Sequence, residues 1–212
     1  MKNTLLIRLL IFTAGLFIMA FGVALSVKAN LGISPVSCIP YIFSLKYPLT
    51  IGALTIIFNI VLILLQIILL RKRYQPFQLF QLLVALVFGF FIDFTMYLLS
   101  GVTVPGYTGR LAFCLLSCFL MGLAVFIEVK ARLIYLPGEG LALAISETFP
   151  IDFGKAKVGA DCTMVAVGII SSFVLLHHLK GIREGTILAA LMIGSIAKFL
   201  KKKILFFDKV LA

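Results

Sequence analysis

Charge is scarce in this chain of 212 residues. Asp, Glu, Lys and Arg make up 13% of it, and only 8 of them are acids, against 19 Lys and Arg. A soluble domain carries about 25% charged and about 45–50% apolar residues. Here the hydrophobic share is 62% and the mean hydropathy is +1.19. These values exclude an ordinary soluble fold and imply a polytopic membrane protein. Catalytic signatures are also missing: there is no HExxH, no GxSxG, no Walker A and no convincing pair of catalytic carboxylates. An enzyme is therefore not expected, and no catalytic residue, metal ligand or cofactor is assigned. Histidine is limited to His177 and His178, adjacent in an expected loop with Lys180 and Arg183. They read as a solvated loop tip, with a ligand or proton relay as the competing reading. The 4 cysteines, Cys38, Cys114, Cys118 and Cys162, all lie in apolar stretches. Cys114 and Cys118 are one helical turn apart, but no His or acid stands beside them, so buried thiols explain them, and a disulfide framework is not indicated. The net charge of +11 comes without an aromatic-interleaved basic patch. It fits cytoplasmic loops that collect Lys and Arg, not nucleic-acid binding.

What is present is a duplication. The stretch from Arg8 to Gly52 can be laid without a gap on the residues 102 positions further on. Identical pairs then include Arg8/Arg110, Lys28/Lys130, Pro35/Pro137, Ser44/Ser146, Pro48/Pro150 and Gly52/Gly154. Apolar composition alone generates Leu/Leu matches, not Lys, Pro, Ser and Gly in one register. Internal repeats define architecture, and in membrane chains two related halves interrupted at matching prolines point to a transport site.

A spanning helix needs about 20 apolar residues. Such stretches occur at 5–27, 51–70, 77–99, 110–129, 154–176 and 184–200. The first resembles a signal peptide but is too long for one, and its repeat partner lies mid-chain, so a retained helix is expected. Two shorter apolar pieces, 36–45 and 138–146, are each opened by a proline. They are too short to span, and proline suits the first turn of a helix, where its missing N–H would lack a partner anyway. With these pieces re-entrant and the N-terminus inside, only Lys28, Lys46, Arg110, Lys180 and Arg183 of the 19 basic residues fall outside. If the pieces crossed, Arg71-Lys72-Arg73 would move outside, against the positive-inside rule. The expected fold is therefore an all-α membrane protein of one domain. It has six transmembrane helices arranged as two inverted three-helix repeats (5–99 and 110–200), each with a Pro-started re-entrant half-helix. Both termini are cytoplasmic.

The half-helix starts are the candidate site. Irregular backbone at membrane depth is tolerated where it is buried in protein or lines a cavity, and a helix N-terminus presents free N–H groups and positive partial charge. Ser34, Pro35 and Ser37 stand at one start, and Pro137, Gly138, Glu139 and Gly140 at the other. The competing reading is a pair of tight turns that only pack small helices. Glu139 breaks the repeat, since its partner is Ser37. An acid in an apolar setting is costly and usually functional; the alternative is a helix-start acid. Asp161 is the repeat partner of Asn59, and Gln66 shares a helix face with Asn59. Asn59, Gln66 and Asp161 either flank one cavity or make interhelical hydrogen bonds. Asp93 reads as interfacial, and Lys28 as a partner for Asp93 or for an anion. Glu128, Lys130 and Arg132 cluster at one helix end as inside anchors.

The stretches ANLGISPVSCIPY, FNIVLILLQIILLRKR, LPGEGLALAIS and FGKAKVGADCTM, with a third helix ending GFFIDF, resemble the YczE/YyaS/YitT group of bacterial integral membrane proteins, in its branch with LGISP and PGEGL elements. The resemblance implies a bacterial inner-membrane protein and carries over no catalytic or binding residue. The residues themselves lead to a secondary transporter of a small anionic or zwitterionic solute, working by alternating access. A passive channel-like pore is the first alternative, and a membrane scaffold or substrate-binding subunit of a larger transporter the second. The expected partners are the solute and the lipid bilayer. A homodimer is a candidate assembly, and on the scaffold alternative the small residues Gly15, Ala20 and Ala24 offer an exposed face that docks another protein.

Overall fold

In a computed structural model the described residues are 2–131 and 133–203, with the side chains of residues 2–4 and 202 left aside. Arg132 and Lys209, both counted above among the inner charges, lie outside the described residues, as does the side chain of Lys2. Among the described residues the regular elements are helices: α1 (Lys2–Ala29), α2 (Pro35–Ser44), α3 (Ile51–Leu70), α4 (Phe80–Leu98), α5 (Gly106–Ala131), α6 (Pro137–Thr148), α7 (Phe153–Leu176) and α8 (Glu184–Lys203). Two 3₁₀ turns, Arg71–Arg73 and Pro76–Leu79, join α3 to α4. Pro137 opens α6 at its first turn and Pro35 opens α2, as the fixed φ of proline favours. Thr50 and Asp152 cap α3 and α7 by accepting from Ala53 N and Gly154 N, which satisfies N–H groups that the helix leaves without partners.

Among the described residues, five helical stretches are long and apolar enough to cross a membrane: Leu5–Ala29, Ile51–Arg73, Pro76–Leu98, Gly106–Ala131 and Phe153–Leu176. Helix α8 is not among them, because Glu184 at its start and Lys198, Lys201 and Lys203 toward its end interrupt its apolar run. The burial pattern is inside-out relative to a soluble protein. On α3 the exposed residues include Ile57, Ile60, Val61, Leu64, Leu65 and Ile68, while Thr55, Asn59 and Gln66 are buried. On α4 Leu82, Leu83, Leu86 and Phe90 are exposed, while Gln81 and Thr95 are buried. Apolar side chains face outward and amides inward where the surrounding medium is hydrocarbon.

The chain packs as two compact units. The first holds α1, the end of α4 from Phe94, α5 and α8; the second holds α2, α3, α4 as far as Asp93, α6, α7 and the chain to Ile182. Within the first unit α1 runs antiparallel to α5. Gly15 lies against Ile127 and Glu128, whereas Gly22 lies against Met121 and Ser117. Small residues let the two backbones approach. Ala20 and Ala24 are fully buried, and Gly15 is buried too. The expectation that Gly15, Ala20 and Ala24 form an open docking face is thus corrected: this face is consumed inside the chain. Thr95 Oγ1 donates to the Ala20 carbonyl at 3.3 Å, and the Phe17 and Phe94 ring centroids are 6.4 Å apart. After α1 the chain turns at Gly32, whose φ of 112° favours glycine over any residue with a Cβ.

Candidate functional site

Eight of the nine predicted site residues, Pro35, Ser37, Asn59, Pro137, Gly138, Glu139, Gly140 and Asp161, fall in the second unit; Ser34 ends a segment of the first. The two half-helix starts touch. A Cβ on Gly138 would lie 3.2 Å from both γ-carbons of Val36 and 3.9 Å from its Cβ. Each short helix packs on the second helix of the other sequence half as well as its own: α2 on α7 and α3, α6 on α3 and α7.

Around α6 the packing is polar. A Cβ on Gly140 would lie 2.7 Å from Gln66 Oε1 and 2.9 Å from Gln81 Nε2, so a side chain at this position would displace these amides. Gln66 Nε2 donates to Gln81 Oε1 at 3.1 Å and to the Pro137 carbonyl at 3.1 Å. Gln66 and Gln81 are 1% and 3% exposed, and buried amides need such partners. The N–H groups of Glu139 and Gly140 both turn onto the Leu136 carbonyl, at 3.0 and 2.8 Å. The α6 start therefore offers fewer free donors than a bare helix end.

Around α2 the packing is apolar. Cys38 Sγ contacts the Pro35 carbonyl at 3.0 Å and the Met164 carbonyl at 3.7 Å. Cys38, Ile39 and Ile42 belong to a core with Leu62, Leu141, Met164 and Ile182. A Cβ on Gly168 would lie 2.9 Å from Cys38 Sγ. Ser34 and Ser37 are buried, and both are already engaged by partners.

Glu139 is half-buried. Helix α6, with 12 residues, is too short to span. Burial pushes the Glu139 carboxyl above its ordinary value of 4.5, Lys157 pulls it back and Asp161 pushes it up again. No hydrogen bond or ion pair to the Glu139 carboxylate forms among the described residues. Lys157 Nζ donates instead to Asp161 Oδ1 at 2.6 Å, an i,i+4 pair within α7. Asp161 is thus held along its own helix rather than by an interhelical bond. Asn59 is 3% exposed and makes no hydrogen bond among the described residues.

The remaining polar candidates have structural partners. Asp93 accepts from Gly52 N at 2.8 Å and from Thr50 Oγ1 at 2.7 Å, tying α4 to the start of α3. Lys28 Nζ donates to the Ser100 carbonyl at 3.2 Å. His177 closes α7 in the left-handed conformation, and Ser172 Oγ binds the carbonyls of His178 and Lys180. Sequence reasoning missed Gln81 and Lys157. Gln66 and Gln81 flank the connection between α3 and α4, and that placement in a pair of consecutive helices was the available signal for Gln81. Lys157 was absorbed into the charge count.

Apolar spans with inward-facing amides define a multi-pass membrane protein. The chain belongs to the family described as "Family of unknown function (DUF6198)", which matches residues 6–202. It is 31% identical to "Uncharacterized membrane protein YczE" of Bacillus subtilis (strain 168) over 202 residues, covering 94% of this chain and 87% of the relative. This agrees with the group that its LGISP and PGEGL elements resemble. No solved structure matches the chain.

Proposed function

We propose that the chain is a secondary transporter of a small anionic or zwitterionic solute, bound in the second unit beside the touching starts of α2 and α6. The observation that carries the reading is a set of polar groups around α6 in an otherwise apolar body: the Gln66–Gln81 amides against Pro137 and Gly140, and Glu139, whose carboxylate has no partner of its own, near the Lys157–Asp161 pair. Uncompensated polar groups inside a membrane protein are costly and mark solute or ion routes. Lys157 offers a charge for a carboxylate, and Glu139 one for an amine or a coupling proton.

The inverted-repeat reading, with α8 as a sixth span and both termini cytoplasmic, is supported by two features. The corresponding helices α1 and α5 are antiparallel, and the half-helices exchange second-helix partners, α2 with α7 and α6 with α3. That exchange also bears on motion. Rocking of the sequence halves as rigid bodies would tear α2 from α7 and α3 from α6, so alternating access is better carried by the second unit moving as one body.

The test begins with thermal denaturation of the purified chain against a panel of small metabolites, since a ligand specific for the folded state raises its stability. A hit that is an amino acid or a small organic anion is then followed by uptake into proteoliposomes. Saturable uptake that Glu139→Gln abolishes or uncouples supports the reading. Non-saturating flux through the intact protein, or undiminished transport by the mutant, overturns it.

A further inference from the structure

The first unit carries a second feature that the transport reading does not use. Helices α5 and α8 approach closely at Gly122, where a Cβ would lie 2.7 Å from Ile196 and 3.1 Å from the Ile193 carbonyl. A groove of about 260 Å³ lies between their C-terminal parts. Its walls are Phe126, Val129 and Ala197, and its end is ringed by Lys130, Lys198 and Lys201. Lys198 and Lys201 are exposed, and neither has a hydrogen-bond or ion-pair partner among the described residues.

We infer that this groove binds an anionic phospholipid, with the headgroup phosphate against Lys198 and Lys201 and an acyl chain along Phe126, Val129 and Ala197. The walls offer no hydrogen-bonding group for a polar solute, so the occupant must be apolar along most of its length. The Lys198 and Lys201 ammonium groups at one end require that its other part be anionic. An amphiphile with a phosphate head meets both demands, and basic pockets between membrane helices are suited to such heads. Retention of Lys in loops would explain lysines anywhere near the membrane surface; it does not explain their closing an apolar groove.

Native mass spectrometry of the delipidated full chain, offered equal phosphatidylglycerol and phosphatidylcholine with the same acyl chains, tests the site. Phosphatidylglycerol adducts should dominate. The Lys198→Gln/Lys201→Gln variant should bind phosphatidylglycerol roughly thirty-fold more weakly, each lysine near a headgroup contributing comparably. Ala197→Phe, which fills the groove with all three lysines in place, should lose the adduct as well, so failure of one variant to fold leaves the other decisive. Lys46→Gln/Lys180→Gln removes equal charge from the other unit and should keep the preference. Equal binding of the two lipids, displacement of phosphatidylglycerol by millimolar inorganic phosphate, equal loss in the Lys46/Lys180 control, or adducts surviving in Ala197→Phe would overturn the inference.

Discussion

Helices α2 and α6 both begin on proline, at Pro35 and Pro137, and lean on the same two long helices, yet their surroundings differ in kind. In α2, Cys38 sits against Gly168 within an apolar core. In α6 the repeat partner of Cys38 is Gly140, and the repeat partner of Gly168 is Gln66. Bulk has changed sides: a side chain on the short helix meets a glycine in one case, and a glycine on the short helix meets an amide in the other. The backbone frame was kept while the polar groups gathered around α6. Positions 102 apart thus share a backbone setting and differ in side-chain chemistry, Ser37 against Glu139 among them.

The difference can be broken experimentally, and the largest effect is expected at Glu139. Glu139→Gln should remove ligand-induced stabilisation altogether, whereas Ser37→Ala at the matching position should leave it within a few-fold, both measured by thermal shift with a hit from the metabolite panel. Next in size is the amide pair. Gln66→Leu strands Gln81 and the Pro137 carbonyl and should cost about 1–3 kcal/mol, read from denaturation midpoints in detergent. Gly140→Val, which drives carbon into the same amides, should cost a similar amount, about 1–3 kcal/mol, through overpacking. Cys38→Ala, the change at the corresponding place on α2, should cost less than either.

A smaller, pH-dependent effect follows from the raised Glu139 carboxyl. A group that binds its proton more tightly when folded stabilises the fold fully below its unfolded pKa. That stability is lost as pH rises through the folded value. Melting temperature should therefore fall as pH rises from the ordinary carboxylate range, and Glu139→Gln should flatten that slope; parallel pH profiles for the two proteins would contradict it. The contact of the two starts is testable with least disturbance. The Cβ separation of 3.9 Å at positions 36 and 138 lies within the disulfide range of about 3.5–4.5 Å. Val36→Cys with Gly138→Cys should crosslink on mild oxidation, seen as a mobility shift that reductant reverses.

Much of the helical frame was legible in sequence, because hydrophobic length and proline position are local signals. The second span, expected at 51–70, is Ile51–Leu70, and the half-helices expected at 36–45 and 138–146 are Pro35–Ser44 and Pro137–Thr148. The third span, expected at 77–99, is Pro76–Leu98, with its first turn, Pro76–Leu79, in 3₁₀ form. The site was legible only in part. Glu139, Gly140 and Asn59 announce themselves as polar or small residues in apolar runs, but Gln81 acquires meaning only through Gln66. Likewise, the small residues Ala20 and Ala24 look like a docking face until α5 covers them. Contacts between distant helices are not encoded in any local window.

The exchanged pairing of the short helices sets the order in which this protein is able to finish assembling. Cys38 and Met164, which meet across α2 and α7, are 126 positions apart, so α2 emerges from the ribosome long before its partner exists. During that interval Asn59 and Gln66 are already in the bilayer while Pro137 and Gly140 are still unmade. The second unit closes only after α7 has entered the membrane, and a chain interrupted after α5 holds neither the paired starts nor the bond from Gln66 to the Pro137 carbonyl.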